Sequence, residues 1–466
     1  MTALLCAVLG GVMFYLSQGA DDVWWLSWFA AVPLLWLAYG PAKRWHVFAA
    51  SLAANACGQI YVVQTYGNVM PVPAMAVMVF GWAALFAAAI LFARAVWQKV
   101  SPVAALLAFP AAWTAIEYGV SLISPHATWG ALGYSQVSFP AAIQIASLFG
   151  LYAVTFTVCL FANALALSAH GRWKTAIPGL AATALILIFG WVQLNRPQGE
   201  TIHAAMLSDR DSWLNTVKKL DFDASHMMAE QYAQAARQEA KKGARFIVIP
   251  EGALVADPAW RDQVLAPLAD VARDDKVTIV TGMVLVKPWR NTAVSLLPDG
   301  SQRVYDKRHL LPPAEDKFKP GPGPGLIGGA RAVAICKDMD FPRTLRHDAQ
   351  NGIRLMAVPA NDFVKDGWIH ARMGVMRGVE NGFAVVRSAF LGIEAVSDAQ
   401  GRVLARAGTT GPGMTRLVAE VPLGPGPTLY TRMGDVFAWA CVLASLLLAF
   451  CAFGAKRPGR EGPREV

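Results

Sequence analysis

The sequence predicts a multi-pass α-helical membrane bundle that carries an α/β sandwich. Three observations point there. Mean hydropathy is +0.38 with only 16% charged residues over 466 positions, too apolar for a soluble chain of this length. The apolar residues crowd into 1–195 and 435–453, leaving a middle of ordinary soluble composition. Within that middle, short apolar runs alternate with amphipathic helical stretches and then finish in hairpins.

Runs that reach or approach the ~20 residues of a bilayer-crossing helix lie at Ala3–Leu16, Trp24–Tyr39, Val47–Tyr66, Val72–Val96, Val103–Ile123, Ala141–Leu167, Ala176–Leu194 and Val436–Phe453. The first lacks the basic flank of a cleavable signal and is expected to be retained. Lys43 and Arg44, Arg94 and Lys99, and Arg172 and Lys174 fall in alternate connections. Lys456, Arg457, Arg460 and Arg464 follow the last run, and the first of the other connections carries Asp21 and Asp22. By the positive-inside rule the basic connections and both termini are cytoplasmic. The expected organisation is a bundle of about seven helices over 1–195, a domain over 198–425 on the non-cytoplasmic side, a helix over 435–453 and a basic cytoplasmic tail over 454–466.

The net charge of +9 is in part this topological signal, so no nucleic-acid partner is implied. No Cys/His metal spacing or glycine-rich phosphate loop occurs, and neither metal nor cofactor is expected. Cys6, Cys57, Cys159, Cys441 and Cys451 fall in the apolar runs, which leaves Cys336 without a partner in its own domain and so a free thiol.

In the insert, 201–207 reads as a strand and Asp223–Lys242 as an amphipathic helix stopped by Gly243. The buried strand Arg245–Pro250 delivers Glu251 at its end; a helix at Asp262–Asp274 and a strand at Val277–Val286 follow. Ala293–Leu297 and Gln302–Tyr305 form a hairpin across Pro298-Asp299-Gly300, with Lys307 just past it. Pro312–Gly325 is irregular and holds Glu315. The run Ala332–Ile335 is a strand whose exposed end presents Cys336. Leu355–Pro359 is a strand and His370–Glu380 a helix, and Ala384–Ser388, Glu394–Ser397 and Val403–Arg406 are closing strands.

Glu251, Lys307 and Cys336 thus each terminate a strand, and strand ends on one sheet edge converge. A thiol of ordinary pKa, about 8.5, is a modest nucleophile at neutral pH. A carboxylate can take its proton, a lysine can stabilise charge developing on a carbonyl oxygen, and the sulfur can hold an acyl group. This set suits acyl transfer.

EGAL after a β-run, YDKRHL after a hairpin and ICKDMDFP after a β-run resemble, in that order, the Glu-Lys-Cys signature of the nitrilase, or carbon-nitrogen hydrolase, superfamily. Flanked by apolar segments, the chain is similar to the apolipoprotein N-acyltransferase family. YGNVMPVP (Tyr66–Pro73), FPAAWTAIEY (Phe109–Tyr118), LGYSQ (Leu132–Gln136), SLFGLY (Ser147–Tyr152), HARMGVMRGVE (His370–Glu380) and PTLYTRMGD (Pro427–Asp435) carry that resemblance. It implies an α-β-β-α nitrilase-like sandwich, and a phospholipid that acylates Cys336 before the acyl group passes to the N-terminal amine of a diacylglyceryl-lipoprotein. Glu251 would be the general base, Lys307 the oxyanion stabiliser and Glu315 an accessory carboxylate, with no cofactor, in the cell's inner membrane with the catalytic domain periplasmic.

The chain departs from the family in places. Lys337 and Asp338 replace an aromatic residue and a glutamate after the nucleophile, and Phe390 and Leu391 stand for paired asparagines, with Glu394 just beyond. Lys307 and Cys336 are 29 positions apart, shorter than the family norm. These departures keep open a membrane-tethered amidase, a paralogue acylating another amine, or a non-catalytic scaffold. Lys337 either lowers the thiol pKa or points into solvent; Trp213 lines an acyl pocket or packs on the surface. Glu117, with Tyr118 late in a span, is either functional or a cap at the interface. His126, Tyr134 and Gln136 contact lipid head groups or serve ordinary surface roles.

Overall fold

The structure, a computed structural model, describes residues 1–19, 23–211 and 219–454. Asp21, Asp22, Trp213, Lys456, Arg457, Arg460 and Arg464 lie outside the described residues. The chain divides into two compact units. One comprises Met1–Gly119, Thr155–Leu185 and the chain from Val436; the other comprises Val120–Val154 and Ile186–Asp435.

Helix α1 (Thr2–Gln18) opens the first unit. Among the described residues, six helices are long and apolar enough to cross a bilayer: α2 (Arg44–Tyr66), α3 (Val72–Lys99), α4 (Pro102–Ile123), α5 (Leu151–Ala169), α6 (Trp173–Leu194) and α11 (Val436–Gly454). The other two expected spans differ. With 17 residues α1 is short, and Trp24–Tyr39 breaks into a 3-10 turn and two brief helices. The run Ala141–Leu167 also divides: Pro140–Ile143 and Ala146–Phe149 are separate turns, and α5 starts only after Gly150 at φ 76. A Cβ at Gly150 would come within 2.5 Å of the Tyr430 ring, so only glycine fits that break.

Polar groups inside the first unit satisfy backbone that its sequence leaves open. Pro110 lies within α4 and has no N–H for the carbonyl of Leu106. The Asn163 amide donates to that carbonyl at 2.9 Å and to Ala105 O at 2.8 Å, while its Oδ1 accepts from Tyr39 Oη at 2.6 Å. Arg94 likewise donates to Ala38 O and Ala42 O at 2.6 and 2.7 Å. Glu117 is buried and accepts from Thr155 Oγ1 at 2.8 Å.

The second unit holds two six-stranded sheets, with strands in the order β12-β1-β2-β3-β4-β5 and β11-β10-β9-β8-β7-β6. The strands are β1 (Thr201–Asp209), β2 (Phe246–Ala256), β3 (Thr278–Leu285), β4 (Arg290–Leu296), β5 (Gln302–Asp306), β6 (Gly325–Gly328), β7 (Arg331–Val333), β8 (Leu355–Asn361), β9 (Ala384–Phe390), β10 (Ile393–Ser397), β11 (Val403–Gly408) and β12 (Met414–Pro422). Strand alternation explains the layers. Ala204, Met206, Phe246 and Val248 face Leu355, Ala357, Ala384 and Val386 between the sheets. Ala205, Leu207, Ile247 and Ile249 point the other way, onto α7 (Phe222–Lys241) and α8 (Arg261–Asp274). On the far side Ala332, Met356 and Val385 meet Leu345 and Ala349 of α9 (Pro342–Ala349), and α10 (Gly367–Asn381) packs alongside. The result is the expected α-β-β-α sandwich, with strands apolar on both faces because both are covered.

Asn163→Leu strands the Leu106 carbonyl, which Pro110 cannot serve, and the Tyr39 hydroxyl in apolar surroundings. We expect it to cost about 1–3 kcal/mol, read as a lower unfolding midpoint in detergent. Tyr39→Phe, which removes one partner only, should cost less; equal stability of Asn163→Leu and the wild type would contradict this accounting.

Candidate active site

Glu251 is not at a strand end, as the sequence suggested, but inside β2, where the register against β3 shifts between Ile249 and Leu254. Gly252 takes φ 66 in this bulge. Across from it stands Gly282, where a Cβ would meet Pro250 O at 2.2 Å and the Glu251 Cα at 2.5 Å. The bulge therefore needs a glycine on the neighbouring strand, and it re-aims the carboxylate.

Lys307 follows β5 and is held by its backbone, its N–H donating to Asn291 O at 2.8 Å and its carbonyl accepting from Gly321 N at 3.0 Å. Its ammonium is buried, 2.7 Å from Glu251 Oε1 and 2.9 Å from Glu315 Oε2. Glu315 Oε2 also accepts from Leu311 N at 2.7 Å, which fixes the turn that carries it. The structure thus brings Glu251, Lys307 and Glu315 within hydrogen-bond distance. Asn291 joins them, its Nδ2 donating to Glu251 Oε1 at 2.7 Å and to Glu315 Oε1 at 2.5 Å. Sequence reasoning missed Asn291, which sits between Arg290 and Thr292 and ahead of the strand read at Ala293–Leu297, so no local pattern marked it. Both donors reach Glu251 through Oε1, and Oε2 takes no hydrogen bond among the described residues.

Cys336 is likewise not at a strand end. β7 stops at Val333, and Cys336 begins a 3-10 turn over Cys336–Asp340 with φ 43, a left-handed conformation uncommon outside glycine. It is a free thiol, with Sγ 3.6 Å from Asn361 O. Burial pushes its pKa well up; Glu251 and Asp362 push it further, while Lys307 and Arg387 pull it back. Burial alone would lower the Lys307 pKa, but Glu251, Cys336 and Glu315 outweigh it and hold the ammonium well above its ordinary value. Burial raises the Glu251 carboxyl against the pull of Lys307, so its carboxylate is a stronger proton acceptor than one in water.

Asp338, one of the departures from the family pattern, ties the Lys307 loop to the Cys336 turn. Oδ1 accepts from Arg308 N and His309 N at 3.2 and 2.9 Å, and Oδ2 accepts from Tyr305 Oη and Ile335 N at 2.7 and 3.0 Å. Arg387 braces the following loop through Asp362 at 2.5 and 3.0 Å.

Lys337 does not point into solvent. Its buried ammonium donates to His126 Nδ1 at 2.9 Å and Asp340 Oδ2 at 3.3 Å, and the cations acting on the thiol are Lys307 and Arg387. Burial, then Lys337, holds His126 down to about 4, so its ring stays neutral and can accept that bond. Tyr134 and Gln136 are buried rather than on the surface; Tyr134 Oη meets Thr128 Oγ1 at 2.6 Å and accepts from Arg377 at 2.9 Å. Phe390 fills the core, and Glu394 is buried against Ser388 Oγ at 3.0 Å, its carboxyl pushed up to about 8, chiefly by burial.

Two predictions of opposite sign follow for the Cys336 thiol pKa, read from the pH dependence of thiolate absorbance in the ultraviolet with the other cysteines replaced. Lys307→Met removes a charge that favours thiolate and should raise the pKa; Glu251→Gln removes one that opposes it and should lower the pKa. A shift in the same direction for both would contradict the electrostatics described.

Comparison with known proteins adds sequence relationships. Residues 10–164 match the family model of the apolipoprotein N-acyltransferase N-terminal domain, and residues 204–424 match that of carbon-nitrogen hydrolase. The apolipoprotein N-acyltransferase of Geobacter metallireducens is 28% identical, with 97% of this chain and 95% of that protein aligned. That of Rhodopseudomonas palustris is 24% identical over 94% and 86%. An amidase from Nesterenkonia sp. of known crystal structure is similar at TM-score 0.41 and 20% identity, over 52% of this chain and 97% of that one. With both domain types in one chain and relatives aligned along nearly its whole length, this multi-pass membrane protein joins an apolipoprotein N-acyltransferase N-terminal domain to a carbon-nitrogen hydrolase domain and is similar throughout to the apolipoprotein N-acyltransferases.

Proposed function

We propose that this protein moves a fatty acyl group from a membrane phospholipid, through a thioester on Cys336, to the N-terminal amine of a diacylglyceryl-lipoprotein. The observation that carries the reading is the buried Lys307 ammonium between Glu251 and Glu315, within electrostatic reach of a thiol in a strained turn. The relatives' names supply the class of acceptor. Burial keeps Cys336 a neutral thiol at rest, so attack requires removal of its proton as the new bond forms.

Glu251 is the base, through Oε2. Sulfur adds to the ester carbonyl, the proton passes to Glu251, and Lys307 stabilises the oxyanion. The C–O bond then breaks, and the lysophospholipid leaves with that proton. In the second half the amine attacks the thioester carbonyl, the C–S bond breaks, and the proton lost by nitrogen passes through Glu251 to the sulfur and restores the thiol. Glu315 holds Lys307 in place and balances its charge. None of these steps calls on a metal or cofactor. Lys43, Arg44, Arg94, Lys99, Arg172 and Lys174, by the positive-inside rule, favour an inner-membrane protein whose catalytic domain is periplasmic.

Purified protein incubated with acyl-labelled phospholipid should acquire label that hydroxylamine releases, and Cys336→Ala should acquire none. Glu251→Gln should form acyl-enzyme at least about 100-fold more slowly. Label that survives in Cys336→Ala would overturn the assignment. Label on the wild type that never passes to a diacylated lipopeptide but yields free fatty acid would favour a hydrolase.

A further inference from the structure

Asn291 is buried, and its orientation is fixed by chemistry. Its Nδ2 faces Glu251 Oε1 and Glu315 Oε1, and both of these oxygens also accept from the Lys307 ammonium, so they present acceptors to the amide and its oxygen cannot exchange places with its nitrogen. Oδ1 is buried and has no hydrogen-bond partner among the described residues. A buried amide oxygen without a donor is costly, and native structures rarely leave one so. Amide geometry puts Oδ1 about 2.3 Å from Nδ2, and so within about 5 Å of the Glu251 carboxylate. The obvious nearby donor, the Lys307 ammonium, is already engaged by both carboxylates. What stands beside the base is an acceptor that needs an N–H or O–H from a bound molecule.

We propose that Asn291 Oδ1 orients the acceptor amine; this rests on the acyl-transfer reading above. A neutral primary amine has two N–H bonds. One is directed to Glu251 Oε2 and the other to Asn291 Oδ1, which together aim the nitrogen lone pair at the thioester carbonyl. The N–C bond forms and the C–S bond breaks; the proton leaving nitrogen passes to Glu251 and from there to the departing sulfur of Cys336. A secondary amine has a single N–H, so it can satisfy the base or Asn291 but not both. The site thereby selects primary amines over N-alkylated ones by hydrogen bonding, in addition to any steric effect of the alkyl group.

The test separates this role from a structural one. Full-length protein is acylated with labelled phospholipid and then chased with a diacylated lipopeptide bearing either a free or an N-methylated terminal amine. The wild type should strongly prefer the free amine. Asn291→Ala also removes the Nδ2 bonds to Glu251 and Glu315 and should slow both transfers, but it should slow transfer to the free amine about 10- to 100-fold more than transfer to the N-methyl form, so that the preference collapses. Asn291→Ser serves the same comparison if the alanine variant does not fold. A preference that survives substitution, with both transfers slowed alike, would overturn the assignment. Absence of hydroxylamine-sensitive label on the wild type would instead overturn the thioester reading on which it rests.

Discussion

A lysine side chain buried in a protein normally sheds its proton, because an ammonium loses several kcal/mol of hydration when it leaves water. Lys307 keeps it because two carboxylates lie within 3 Å. The same contacts act on the carboxylates: burial pushes the Glu251 carboxyl up, and the ammonium pulls it back part of the way. Each charge is tolerable only with the others in place, and a neutral amide at Asn291 spaces the two negative groups. Much of the local backbone serves this cluster. The bulge in β2, the glycine facing it in β3, and the turn closed by Leu311 N on Glu315 each fix one member.

Cys336 is joined to the cluster through Asp338. Four donors, two from the Lys307 loop, one from the Tyr305 hydroxyl and one from Ile335 at the start of the Cys336 turn, converge on a single carboxylate. A left-handed backbone at a non-glycine residue costs of order 1–3 kcal/mol and persists where its surroundings over-determine it. Asp338 supplies that determination.

Much of this was legible in sequence, for reasons that differ by element. Apolar length alone located six long helices, since a lipid-facing helix has nothing else to hide its backbone with. Period-two and period-three-to-four patterns located most strands and helices of the sandwich. Glu251 and Lys307 stood out as ionisable groups beside apolar runs, Glu315 entered only through the family resemblance, and the three do meet. The bulge could not be read, because it depends on the absence of a side chain at Gly282, thirty-one residues away. Asn291 was hidden because its role follows from what two distant carboxylates need. Strand β12 was passed over although Leu417, Ala419 and Val421 alternate; its partner is the first strand of the domain.

That last pairing joins the two ends of the sandwich. Thr201 lies opposite Pro422 and Asp209 opposite Met414, so β12 covers the full length of β1. During synthesis the first strand is made more than two hundred residues before the neighbour that shields its edge. Until Met414–Pro422 emerges, one margin of the sheet stays open to any passing extended chain. A premature stop ahead of that segment would therefore leave, besides an incomplete bundle, a sheet margin prone to stick to other chains.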